Sequence, residues 1–196
     1  MKEIIFASHN KGKIEEIRQI LTRFQIKVLS SDDMELPDIE ETGTTFEENA
    51  LLKARGIAQL KNVPCLADDS GLCVDVLGGR PGVYSARYAP NRDFKKAMEM
   101  LLCEMAETHT EDRKAHFSCV LALAYPNGDY RVFEGRVDGR IGYEQKGENG
   151  FGFDPVFIPD GYDETFAELG SDIKNTISHR AKALEKFTAY IEHEGI

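Results

Sequence analysis

Two adjacent carboxylates and a hydroxyl follow an apolar run in Leu66-Ala67-Asp68-Asp69-Ser70-Gly71. A carboxylate carried into a buried strand is costly unless it is paired, hydrogen-bonded or bound to a cation. The segment therefore reads either as an acid pair aimed at a cation or as an Asx-type turn tying off backbone amides before the glycine. Complementary charge comes from Ser8-His9-Asn10-Lys11-Gly12-Lys13, which lies between a strand-like run and a helical one. A helix N-terminus there offers free amides and its positive dipole end to phosphate oxygens, with Ser8 and Asn10 as short donors and Lys13 as the charge. The glycine spacing and Lys-Ser/Thr pair of a Walker loop are absent, and a capped turn with solvated lysines is the plainer alternative. Glu40-Glu41-Thr42-Gly43 precedes a helix carrying Asn49 and Lys53. Those acids either favour the helix dipole or join Asp68 and Asp69 as hard oxygen ligands. Magnesium takes one or two carboxylates and completes its shell with water and substrate phosphates.

Two further segments carry recognition chemistry. In Gly150-Phe151-Gly152-Phe153-Asp154-Pro155, rings set between glycines either form a slot for a flat ring, with Asp154 as acceptor, or pack into the core. Lys174 and Ser178-His179-Arg180 sit near the start of the last helical pattern. They either read a ring carbonyl or a phosphate, or form a solvated surface. A phosphate cradle, an acid set for metal, an aromatic slot and polar readers are the parts of a nucleotide-processing enzyme.

The elements that must position these residues follow from periodicity. Ile4 to Ala7 is a short apolar strand, and Ser8 to Gly12 a turn. Ile14, Ile17, Ile20 and Leu21 recur at helical spacing and predict a helix over about Lys11 to Arg23. Ile26 to Leu29 reads as a second strand, giving a β-α-β start and a parallel pair. Residues 31 to 44 form an acidic loop that hands over to a capping box at Thr45 and Glu48, opening a helix to about Leu60. After Pro64, a strand over Cys65 to Ala67 is expected to end on the paired acids. Gly78-Gly79-Arg80-Pro81-Gly82 is a tight loop, and Asp93 caps a helix through about Glu107 whose Phe94, Ala97, Met98, Leu101 and Leu102 face the core. Phe117 to Tyr125 and Tyr130 to Val137 form a hairpin around Pro126-Asn127-Gly128, and a last helix from about Ser178 packs Ala181, Leu184 and Tyr190 inward.

The 196 residues suit one domain, or one with two lobes, and 41% hydrophobic with 30% charged residues is ordinary globular composition. A formal net charge of −10 argues against a nucleic-acid polymer as partner, while local lysines and a metal still permit a small anion. No apolar run is long enough for a membrane, and the start lacks a signal-peptide pattern, so a cytoplasmic protein is expected. Cys65, Cys73, Cys103 and Cys119 lie in apolar segments and read as small buried hydrophobes in a reducing compartment.

In this order, these segments resemble the inosine triphosphate pyrophosphatase family, also described as non-standard purine nucleoside triphosphate pyrophosphatases. The resemblance covers nearly the whole chain. It rests on Ser8 to Lys13, Glu41 to Ala50, Ala67 to Leu72, Gly79 to Tyr88, Gly150 to Pro155 and Ile177 to Arg180. It implies an elongated α/β fold, a central mixed sheet flanked by helices with two lobes around an active-site cleft, and a homodimer. It also implies magnesium-assisted hydrolysis of ITP, dITP and XTP to the monophosphate and pyrophosphate. By position, Ser8, Asn10 and Lys13 hold the triphosphate with Lys53, within a substrate-binding segment that includes His9, Lys11 and Gly12. Glu41 and Asp69 bind metal, with Glu40 the alternative to Glu41, and Asp69 is also the base that activates water. Ser70, Phe151, Gly152, Phe153, Asp154, Lys174, His179 and Arg180 surround the sugar and base. Asp68 is left to support the turn. The competing readings are a pyrophosphatase for modified pyrimidine nucleotides, of the Maf type, and a nucleotide-binding regulatory module without turnover.

Overall fold

A computed structural model describes residues 2–195. The strands are β1 (Lys2–Phe6), β2 (Ile26–Leu29), β3 (Cys65–Val74), β4 (Lys114–Ala124), β5 (Tyr130–Ile141) and β6 (Phe157–Pro159). The helices are α1 (Lys11–Thr22), α2 (Phe46–Lys61), α3 (Phe94–Glu107), α4 (Phe166–Leu169), α5 (Ser171–Ile177) and α6 (His179–Glu194). The sheet order is β2-β1-β3-β4-β5-β6. β1 pairs in parallel with β2 and β3, whereas β6 is antiparallel to β5, so the sheet is mixed as the resemblance implies.

The chain divides into two compact units. Unit 1 takes in the chain up to Asp69, Cys119–Gly135 and the chain from His179 onward. Its strands alternate cleanly, because successive side chains leave a strand on opposite faces. Ile4, Phe6, Leu66, Cys119, Leu121 and Leu123 share one apolar layer with the inner stripes of α1 and α6. Ile5, Ala7, Cys65, Ala67, Val120 and Ala122 share the other layer with Ala50, Ala54, Ile57 and Ala58 of α2. Small residues on that stripe of α2 let the helix lie close to the strands. Burial of a full Leu, Ile or Phe contributes about 1.5–3 kcal/mol, so these two layers fix which way Cys65, Leu66 and Ala67 of β3 point, and with them the two residues that follow.

Unit 2 takes in Ser70–Ser118 and Arg136–Ser178. Ala97, Met98, Leu101 and Met105 of α3 pack there with Leu72, Val74, Phe117, Val137 and Ile141. Phe117, Phe157 and Phe166 meet in one aromatic cluster, with Phe117 edge-on to Phe157 at a centroid distance of 4.6 Å. Unit 2 also contains β6, α4 and α5, none of which is long enough to leave a periodic signature in the sequence.

Three expectations are corrected. β3 does not end at Ala67: it continues through Asp68, Asp69, Ser70 and Gly71 to Val74, so the paired acids lie within a strand and Asp68 supports no turn. Gly71 marks a close approach instead. A Cβ there would collide with the Gly82 carbonyl oxygen and come within 2.6 Å of Ser85 Oγ. That hydroxyl accepts from Leu72 N at 2.9 Å and donates to Gly82 O at 2.6 Å. The last helix begins one residue late, at His179, because Ser178 is extended and ends α5. Cys103 is exposed, while Cys65, Cys73 and Cys119 are buried. Among the described residues, no helix is long and apolar enough to cross a membrane.

Candidate active site

The alternation of β3 separates the two acids. Asp68 lies on the α1 and α6 side with Leu66, and Asp69 on the α2 side with Cys65 and Ala67. Asp68 is 1% exposed. Its Oδ1 pairs with Lys13 Nζ at 3.1 Å, and its Oδ2 accepts from Arg180 Nε at 3.3 Å and Nη2 at 3.1 Å. The buried Cys119 thiol also points at Oδ2, at 3.8 Å. Burial alone would raise this carboxyl, but Lys13, Arg180 and Lys53 overcome it and hold Asp68 well below the usual carboxylate range. Arg180 Nη1 pairs in turn with Glu16 of α1. Four charges of alternating sign, Glu16, Arg180, Asp68 and Lys13, thus form one chain beneath the α1 N-terminus.

That N-terminus is electropositive and capped by few of its own groups. Asn10 Oδ1 accepts from Lys13 N at 3.1 Å, and Ser8 Oγ accepts from Asn10 N at 3.1 Å. What those side chains offer a ligand is therefore the Ser8 hydroxyl proton and the Asn10 amide protons. The first turn holds Lys11, Gly12 and Lys13 and no acid. Lysines at the positive end of a helix oppose its dipole, which suits a phosphate better than a solvated cap. His9 is exposed.

On the other face, Lys53 of α2 donates to Glu41 Oε1 at 2.8 Å and to the Asp68 carbonyl at 2.6 Å. Burial works against the Lys53 ammonium, but Asp68, Glu41 and Asp69 outweigh it and raise its pKa. Asp69 is pushed up to about 6, first by burial and further by Glu41 and Asp68, against the lowering pull of Lys13 and Lys53. Glu41 is half-buried and faces Lys53, while Glu40 is exposed. Among the described residues no group of three His, Cys, Asp or Glu side chains is placed to hold a metal. Glu41 and Asp69 supply two carboxylates, and the repulsion raising Asp69 is relieved by a cation. Two carboxylates suit a hard divalent cation that keeps most of its own water better than a metal that demands a closed protein cage.

Unit 2 carries a second cluster. Lys174, on α5, is buried and donates to Asp154 Oδ2 at 2.7 Å. The same oxygen accepts from Phe151 N at 3.0 Å, and Lys174 Nζ stands 4.5 Å from the Phe151 ring centroid. Gly150 has φ +74°, and a Cβ there would strike Asp154 Oδ2, so glycine is what admits the carboxylate. Phe151 and Gly152 are partly exposed, but Phe153 is core, edge-on to Phe94 at 5.6 Å. Ser70 is half-buried on β3. The structure thus brings Phe151, Asp154 and Lys174 together in unit 2. It places His179 and Arg180 in unit 1, buried in the first turn of α6.

Glu16 and Cys119 were not anticipated from the sequence. Glu16 had a signal: it stands three residues after Lys13 and four before Ile20, sharing their stripe of α1. Cys119 had none, since one cysteine in an apolar strand is ordinary.

The sequence pattern of the Ham1 family matches residues 4–190. The chain belongs to the Ham1 family. A dITP/XTP pyrophosphatase of Oceanobacillus iheyensis is 48% identical over 195 residues, covering 97% of this chain and 98% of the relative. One of Bacillus subtilis is also 48% identical, covering 98% of each. Among solved structures, a Ham1 protein of Staphylococcus aureus superposes with a TM-score of 0.87 at 43% identity, over 98% of this chain and 100% of the other. A HAM1 protein of Coxiella burnetii gives 0.89 at 40% identity, over 98% and 99%. In this Ham1-family chain the acid pair, the α1 N-terminus and Lys53 all belong to unit 1.

Proposed function

We propose that this chain hydrolyses non-standard purine nucleoside triphosphates, namely ITP, dITP and XTP, to the monophosphate and pyrophosphate, removing them from the nucleotide pool. The observation that carries the reading is the division of labour on β3. Asp68 is held ionised by Lys13 and Arg180, while its neighbour Asp69 is tuned to about 6 on the opposite face. A cation held by Glu41 and Asp69 would pull that value down and keep the Asp69 carboxylate ionised, able to accept a proton from water at neutral pH. Relatives that are 48% identical are named dITP/XTP pyrophosphatases, which supports the substrate class.

In this reading Ser8, Asn10, Lys13 and the α1 amides hold the triphosphate, with Lys53 beside them. Lys13 and Lys53 place positive charge where the leaving pyrophosphate becomes more negative. Asp69 orients the attacking water and takes its proton. Glu41 and Asp69 hold magnesium, which when bound supplies charge against the phosphate oxygens and helps deprotonate water. Phe151 offers a ring face to the base. The Lys174 ammonium, paired with Asp154, is a donor suited to a 6-oxo group, and His179 is a further polar reader. Adenine presents an amino group there, and a buried donor left facing it costs about 1–3 kcal/mol. A cytoplasmic homodimer belongs to the same reading.

Pyrophosphate release with magnesium, compared across ITP, XTP, dITP, GTP, ATP and dTTP, tests it. ITP and XTP are expected to exceed ATP by about 5- to 150-fold in kcat/KM, the ratio that the cost of that unpaired donor corresponds to. Faster turnover of dTTP or ATP than of ITP overturns the reading.

A further inference from the structure

Gly135 lies on β5 within unit 1, packed against the start of α6. A Cβ built there would run into the carbonyl oxygen of His179 and come within 2.6 Å of Ala183 N. Those two backbone groups are the acceptor and donor positions that close the first turn of α6. No side chain at 135 fits unless that turn moves, since both obstacles are backbone. Gly135 is not in the left-handed region, so backbone conformation does not demand glycine there. The close approach does.

What rides on that turn is Arg180. The residue sits at the positive end of α6, where its charge opposes the helix dipole, and it is 1% exposed. It is held there by Asp68 and Glu16, which it contacts through three different nitrogens. A planar guanidinium tolerates little displacement when it satisfies two carboxylates at once. We propose that Gly135 is a positioning residue for the reaction: by letting the first turn of α6 seat directly on β5, it aims Arg180 at Asp68. Asp68 in turn fixes Lys13 at the α1 N-terminus. The proposal rests on the reading of Lys13, held by Asp68, as a ligand of the triphosphate.

A double-mutant cycle between Gly135→Ala and Arg180→Ala tests it, with kcat and KM for ITP measured separately and folding followed by thermal unfolding. Gly135→Ala alone is expected to lower kcat/KM by about 10-fold or more, while unfolding stays cooperative. In the Arg180→Ala background the same substitution is expected to cost less than about 3-fold, because the group it acts through is gone. Losses that multiply in the double variant, or a Gly135→Ala enzyme within about 2-fold of the parent, overturn the proposal. If Gly135→Ala does not fold, Arg180→Lys carries the test on an unmoved helix. It is expected to lower kcat/KM by about 10-fold, as a point charge replaces the fork, and parental kcat/KM overturns the proposal. A parent chain that releases no pyrophosphate from ITP would instead strike the proposed function, leaving the two failures distinct.

Discussion

Asp68 and Asp69 are the same residue type, adjacent and both buried, yet their surroundings drive them in opposite directions. On the α1 and α6 face, Asp68 meets Lys13 and Arg180 and stays ionised. On the α2 face, Asp69 meets burial and a second carboxylate, Glu41, and is pushed up to about 6. Burial is the largest single influence on both, so the counter-charges decide the outcome. A strand is what makes such a division possible, since consecutive residues see different neighbours. A turn would have left both carboxylates near water with ordinary affinities for protons.

The comparison is sharpest where a change of one atom should do different damage on the two faces. Asp69→Asn is expected to reduce kcat by about 1000-fold or more while ITP binding, read by thermal shift, largely remains. Turnover near the parental rate would remove Asp69 as base. Asp68→Asn leaves Arg180 and Lys13 short of a buried counter-charge and should cost about 3–5 kcal/mol in denaturant unfolding. A loss below about 1 kcal/mol would show that Asp68 is no keystone of the ion-pair chain.

The pH dependence of metal-free stability separates the faces again. The Asp69 folded value of about 6 lies above the ordinary 3.8, so the folded chain keeps a proton that the unfolded chain loses between them. The stability this contributes is complete below about pH 4 and gone above about pH 6–7, amounting to about 1–3 kcal/mol. Unfolding midpoints of the parent should therefore fall, relative to Asp69→Asn, as pH rises through that window. Parallel profiles would place Asp69 at an unperturbed value. The smallest expected effect belongs to the helix on the Asp69 side. Thr45 accepts from Glu48 N at 3.1 Å in a complete capping box, so Thr45→Ala should cost about 1 kcal/mol of stability. Turnover should change little, and a large loss of kcat would show that α2 positions Lys53 through its cap.

Much of this was legible in residue order. The Lys11–Thr22 helix, the Ile26–Leu29 strand and the capped Phe46–Lys61 helix follow from apolar period and cap chemistry, which are local. The acid pair stood out because carboxylates after an apolar run need partners, and Lys13 because it sits at a helix start, whereas the choice of Glu41, Lys53 and Asp69 came from the family resemblance. The strand through Asp68-Asp69-Ser70-Gly71 was misjudged because Asp, Ser and Gly favour turns in isolation. Only the approach of Gly82 and Ser85 shows why glycine is needed there. Phe153 could not be told from Phe151, since which ring faces Phe94 is a tertiary matter. The Arg180 partners lay beyond reach for the same reason: Glu16 and Arg180 stand 164 positions apart.

That separation has a consequence for biosynthesis. Asp68 is made 112 residues before the guanidinium that, with Lys13, neutralises it, and both segments of unit 2 are complete before α6 appears. A nascent chain therefore carries an acid destined for the interior with its arginine still untranslated. Docking of α6 supplies that counter-ion, the apolar stripe of Ala183, Leu184 and Phe187, and the partner of Glu16 in one event.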